Sequence, residues 1–186
     1  NALTDLEHPC QALADFLTMQ ETFGELSGQT LAYIGDGNNV ANSLMICGAL
    51  LGVNIKIASP KGFEPLPGVV EHAKSLVSIP GVTIEVSNDP SKAASGAHAL
   101  YTDVWASMGQ EDEQILRQKA FQGFCLDHSY LDLADPNVIV MHCLPAHRGE
   151  EISAELMKSS SSRIFDQAEN RLHVQQALLA AVLGGL

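Results

Sequence analysis

The residues of this 186-residue chain best suited to chemistry fall in three short polar stretches, each following an apolar run. Gly35-Asp-Gly-Asn-Asn39 follows one such run, Asp103-Val-Trp-Ala-Ser-Met-Gly109 follows a second, and His142-Cys-Leu-Pro-Ala-His-Arg148 closes a third. If the runs are parallel strands, all three stretches lie at carboxyl ends, where open sheets bind ligands near the switch in strand order. Asp103 ends an otherwise apolar run, so its carboxylate should protrude into that edge, or cap the loop beyond it. Cys143 stands where strand yields to loop. It reads either as a small packing hydrophobe or as a thiol whose tuned pKa lets it accept or relay a proton. His142 and His147 have no further ligands at metal-binding spacing, so no metal site is expected.

Other positions carry weaker signals. Asn38 and Asn39, at the start of a helix, offer amide donors and acceptors to a zwitterionic ligand. The glycines before them suggest a dinucleotide turn, but Val40 stands where the third glycine belongs, and the next strand ends in Ser59-Pro60 rather than an acid. Those glycines could equally serve only a tight turn. His8 precedes Pro9, where it could cap a helix or present a ring nitrogen to a carbonyl. Arg171 reads as lying near the start of the last helix, where the dipole disfavours a cation, which hints at an anionic ligand. An ion pair with Glu169 is the plainer alternative.

The elements that would position these groups alternate. Pro9 opens a helix that Gly24 stops, and Thr30–Gly35 is a buried strand. A small-residue helix from Asn39 to Leu51 follows, closed by Gly52. Ile55–Ala58, Val82–Val86, Ala97–Thr102 and Val138–His142 read as further strands. Val69–Val77, Ser91–Ser95, Glu111–Phe121 and the tail from about Asn170 to Leu183 read as helices. This alternation predicts an α/β fold: a doubly wound, Rossmann-like parallel sheet with helices on both faces, in a single domain.

Composition narrows the function. Acidic residues outnumber basic ones 22 to 10, so nucleic acid and anionic membrane surfaces are not expected partners. No apolar run reaches the roughly 18 residues of a bilayer span. The four cysteines are widely spaced, with no CxxC pair, which fits a reducing compartment better than a disulfide framework. The chain opens on Asn1 rather than Met, as a fragment or a processed chain would.

Taken together, His8-Pro-Cys-Gln11, Asp36-Gly-Asn-Asn39, Asp103-Val-Trp-Ala-Ser-Met-Gly109, His142-Cys-Leu-Pro145 and Phe165-Asp-Gln-Ala-Glu-Asn-Arg171 resemble the successive signatures of ornithine carbamoyltransferases. His-Pro-x-Gln is shared with aspartate carbamoyltransferases; the Ser-Met-Gly and His-Cys-Leu-Pro stretches are more specific to the ornithine branch. The family's Ser-x-Arg-Thr phosphate loop has no match here, so the resemblance implies the second domain without the first. Residues 1–24 would be the interdomain connecting helix, 25–169 the ornithine-binding domain and 170–186 the C-terminal helix.

The resemblance further implies transfer of a carbamoyl group from carbamoyl phosphate to the δ-amine of L-ornithine, giving L-citrulline and phosphate, with no metal or organic cofactor. Asn39, Asp103, Ser107 and Met108 would hold the α-amino and α-carboxylate groups of ornithine. His8, Gln11, Cys143, Leu144 and Arg171 would serve carbamoyl phosphate, with Cys143, Asp103, His8 and Arg171 catalytic. It also implies a homotrimer and a cytoplasmic or mitochondrial-matrix location. The isolated half would be inactive.

Overall fold

The computed structural model describes residues 1–106 and 113–184. Five strands form one sheet: β1 (Thr30–Ile34), β2 (Asn54–Ala58), β3 (Ile84–Ser87), β4 (Ala99–Thr102) and β5 (Ile139–His142). Every pairing is parallel and the spatial order is β3-β2-β1-β4-β5. The order reverses between β1 and β4. That gap is the topological switch point, and the doubly wound α/β fold expected from the sequence is the fold observed.

Side-chain alternation explains why both faces are covered. Leu31 and Tyr33 point to one face with Ile55, Ile57 and Tyr101, under α1 (Pro9–Phe23), α2 (Asn39–Leu51) and α3 (Pro67–Ser75). Ala32, Ile34, Leu100 and Val140 point to the other, where α4 (Pro90–Ala94), α5 (Gln114–Ala120) and α6 (His128–Leu131) lie with Phe121, Leu126 and Tyr130. The last helix, α7 (Ile164–Val182), packs along α1. Asn170 Nδ2 donates to Thr18 Oγ1 at 3.0 Å and to Glu21 Oε2 at 2.7 Å, joining the two helices across almost the whole chain.

The helix boundaries differ from the sequence reading where caps decide them. Pro67 and Pro90 open α3 and α4 earlier than apolar spacing suggested, and Asp89 caps α4 by accepting from Lys92 N. Residues 111 and 112 of the expected Glu111–Phe121 helix lie outside the described residues. The largest shift is in α7, which begins at Ile164 rather than near Asn170. A division at 169/170 would fall within that helix.

Gly37 shows a different constraint from the turn flexibility that its sequence context suggested. Its φ is not positive; a Cβ there would lie 2.1 Å from Pro65 N and 2.4 Å from the Glu64 carbonyl carbon. The loop after β1 can therefore approach the 63–65 segment only because this side chain is missing, and Gly37 N–H donates to Phe63 O at 2.8 Å. Gly37→Ala should cost about 3 kcal/mol or more of stability, read from the urea midpoint. Gly68→Ala, with nothing within 4 Å, should leave the midpoint level or raise it.

Candidate functional site

The carboxyl ends of β1, β4 and β5 meet at the switch point, where a crevice of about 700 Å³ opens. His8, Gln11, Asn39, Asp103, Cys143, Leu144 and Arg171 all line it. These are the sequence-derived candidates except Ser107 and Met108, which lie outside the described residues.

At the centre is the Asp103 carboxylate, only 6% exposed. Its Oδ2 accepts from Asn38 Nδ2 at 2.8 Å, and its Oδ1 from Val104 N at 2.8 Å and Cys143 Sγ at 2.9 Å. Capping of the following loop and exposure to the ligand edge, posed as alternatives, thus coexist. Asn38 was legible only as part of the Asn-Asn pair. It is the N-cap of α2, with Oδ1 accepting from Val40 N at 3.0 Å and Ala41 N at 3.2 Å. Those backbone donors fix the amide's orientation and leave its NH2 facing Asp103. Asn39 turns the other way: Nδ2 donates to Thr4 O at 2.7 Å, in the segment preceding α1.

Cys143 donates its S–H to this carboxylate. Burial first, then the negative charge of Asp103, push the thiol well above its usual pKa. At neutral pH it is therefore a neutral donor to the carboxylate, not a group ready to accept a proton. His142, one residue earlier, faces away from the crevice. Its Nδ1 accepts from Leu144 N at 2.9 Å, so Nε2 carries the proton and donates to Glu151 Oε1 at 3.1 Å. That brace supports Leu144, whose φ of 60° is unusual for a branched residue. No donor among the described residues bonds the Leu144 carbonyl. Donor atoms of Asp103, His142 and Cys143 lie within 4.8 Å of one another, but both His142 nitrogens and the thiol proton are already engaged. His147, Glu150 and Glu151 also approach to this distance, at the rim.

His8 occupies the N-cap position of α1 without a side-chain capping bond. Burial, then the charge of Arg171, lower its pKa, which keeps the imidazole neutral. The dipole argument for Arg171 fails, because α7 starts at Ile164 and places this residue in its third turn. Nor does Arg171 pair with Glu169, whose carboxylate lies 3.9 Å from His173 Nε2. Arg171 Nη1 instead donates to Gln11 Oε1. With the Gln175 amide oriented to accept, Arg171 also donates to it at 2.9 and 3.1 Å.

Sequence reasoning passed over Arg117, which also lines the crevice. Its Nη1 donates to Asp36 Oδ2 at 2.6 Å and to the Trp105 carbonyl at 2.8 Å, and its guanidinium lies 4.9 Å from the Phe63 ring centroid. A lone arginine in a helix gives no local sign of a partner 81 residues away.

The Asp/Orn binding domain of aspartate/ornithine carbamoyltransferases matches residues 27–182. The chain belongs to this family. It is 71% identical over all 186 residues to the ornithine carbamoyltransferase of Parasynechococcus marenigrum, covering 58% of that protein. Over 185 residues it is 60% identical to the ornithine carbamoyltransferase of a Nostoc species, covering 60% of it. The solved ornithine carbamoyltransferase from Pyrococcus furiosus superposes with a TM-score of 0.94 at 48% identity, covering 100% of this chain and 59% of that one. The one from Gloeobacter violaceus gives 0.90 at 50% identity, covering 97% and 60%. The chain thus spans a little under three fifths of the curated relative it matches at 71% identity. Among the described residues, no helix is long and apolar enough to cross a membrane.

The state of the thiol can be checked directly. Alkylation of Cys143 by iodoacetamide, followed by peptide mass spectrometry, should stay slow through pH 8, because only the thiolate reacts. Asp103→Asn removes the negative charge that disfavours the thiolate, so it should lower the Cys143 pKa and speed alkylation. Equal rates in both proteins would mean that the carboxylate does not govern the thiol.

Proposed function

We propose that this chain is the ornithine-binding part of an ornithine carbamoyltransferase, acting within a longer polypeptide whose other domain grips carbamoyl phosphate. The observation that carries the reading is the gathering of His8, Gln11, Asn39, Asp103, Cys143, Leu144 and Arg171 around one crevice, in a chain 71% identical to a protein of that name. The reaction would transfer the carbamoyl group to the δ-amine of L-ornithine, yielding L-citrulline and phosphate. The whole protein would form a homotrimer in the cytoplasm, or in the mitochondrial matrix of a eukaryote.

The chemistry follows from the groups present. An ammonium has no lone pair, so the δ-amine must lose a proton before it attacks the carbamoyl carbon. The Asp103 carboxylate, buried and lining the crevice, would take that proton as the general base, while the Cys143 thiol donates to it and holds it in place. A tetrahedral intermediate forms and collapses, and the C–O bond to phosphate breaks. Arg171 and the neutral His8 would stabilise charge developing on the carbamoyl oxygen, and Gln11 would orient the carbamoyl group. The Leu144 carbonyl would accept from the carbamoyl nitrogen. Asn39, Ser107 and Met108 are assigned to the α-groups of ornithine; Asn39 would offer its amide oxygen, since its Nδ2 is bonded to Thr4 O. Much of the rate would come from holding two substrates in register.

The full-length parent should be assayed for ureido product with carbamoyl phosphate and ornithine, N-acetylornithine, putrescine or aspartate. Clear preference for ornithine is expected, and preference for another acceptor would overturn the substrate assignment. Asp103→Asn should lower turnover at least about a hundredfold, and Cys143→Ala should lower it far more than it lowers stability. Arg171→Ala should chiefly weaken use of carbamoyl phosphate, seen as a raised KM for that substrate.

A further inference from the structure

Asp15 lies on the buried face of α1 and is 0% exposed, outside the crevice lining. An acid at such a place is costly, and an apolar side chain would fill it more cheaply. We propose that Asp15 is a positioning residue: its Oδ1 orients the amides of Gln11 and Gln167, and through them holds Arg171 and the strand end carrying Cys143. The inference rests on the carbamoyl-transfer reading for its kinetic consequences, and on the geometry alone for the rest.

The argument is one of donors and acceptors. A carboxylate oxygen only accepts, so both amides must turn their NH2 groups toward it. Gln11 Nε2 donates at 2.8 Å and Gln167 Nε2 at 2.6 Å. Each amide oxygen is thereby aimed the opposite way. Gln11 Oε1 receives Arg171 Nη1, and Gln167 Oε1 receives the backbone N–H of His142 at 2.8 Å. A half-turn of either amide would set NH2 against N–H, donor against donor. One oxygen atom therefore decides both orientations, linking α1 to α7 and to the end of β5.

The arrangement survives protonation. Burial pushes Asp15 up to about 7, against the opposing pull of the Gln11 and Gln167 amides and of the Arg171 charge. Its Oδ2 has no hydrogen-bond partner among the described residues, and neither does the buried Tyr101 hydroxyl. The proton therefore belongs on Oδ2, and Oδ1 accepts from both amides in either form. Asparagine has the same layout, with its oxygen in the place of Oδ1.

The test is a mutant cycle in the full-length parent: Asp15→Asn, Asp15→Ala, Gln11→Ala and the Asp15→Ala/Gln11→Ala double. Asp15→Ala should raise the KM for carbamoyl phosphate about tenfold, while Asp15→Asn should keep it within about threefold. The double variant should show no larger KM than Gln11→Ala alone, because one residue acts through the other. Multiplying effects, or an unchanged KM in Asp15→Ala, would overturn the proposal. Where Asp15→Ala does not fold, Asp15→Leu keeps the branched shape without the acceptor and takes its place. Glutamine side-chain amide NMR supplies an arm free of activity. The Gln11 and Gln167 NH2 signals should be slow to exchange in the parent and in Asp15→Asn, and fast in the acceptor-less variant. Equal exchange in all three would sink the positioning role, whereas a parent that ignores ornithine would sink only the functional reading.

Discussion

A buried carboxylate at the end of β4 is the constraint around which the rest is arranged. Asp103 is desolvated where the strand order reverses, and a charge in that position must be met on several sides. It is met by one group from each neighbouring strand end: the Asn38 amide after β1, the Val104 N–H after β4 and the Cys143 thiol after β5. Each donor is in turn fixed by secondary structure. Asn38 is held by the first N–H groups of α2, and Cys143 by a strand end that Gln167 and Glu151 brace through His142. The sheet thus does more than carry the site, since the site's central charge joins three of its strands.

Charge placement follows the same economy. The chain is strongly acidic, with a formal net charge of −12, yet two of its ten basic residues line this crevice. Arg117 pairs with Asp36 and the Trp105 carbonyl, while Arg171 has no carboxylate partner among the described residues and takes only amide acceptors. A guanidinium satisfied by neutral groups keeps its full positive field for an incoming anion. The two arginines therefore divide their labour: one stabilises the scaffold and the other remains electrostatically available.

The sheet and the crevice were legible in the sequence because both depend on local pattern. Apolar runs broken by polar strand ends predict parallel strands, and reading those ends together brought Asp103, Cys143 and Asn39 to one edge. What escaped was long-range pairing. Nothing near Arg117 announces Asp36, and Gln167 was hidden once α7 was started six residues late. Asp15 left a fainter trace, as an acid among Ala12, Phe16 and Met19 on the buried side of a helix. Asn38 could have been found from the rule that an asparagine just before a helix caps it. Ser107 and Met108 rest on family resemblance alone.

The α1–α7 pairing bears on how the protein comes into being. Gln11 and Arg171 are 160 positions apart, and Asp15 and Gln167 are 152 apart. Contacts of such separation carry a large loop-closure entropy and form late unless the intervening chain has already compacted. During synthesis the strand ends bearing Asn38, Asp103 and Cys143 leave the ribosome before α7 exists. The nascent chain can therefore build its sheet first, before Gln167 arrives to brace the end of β5. The cationic side of the crevice follows only when the last helix docks on the first.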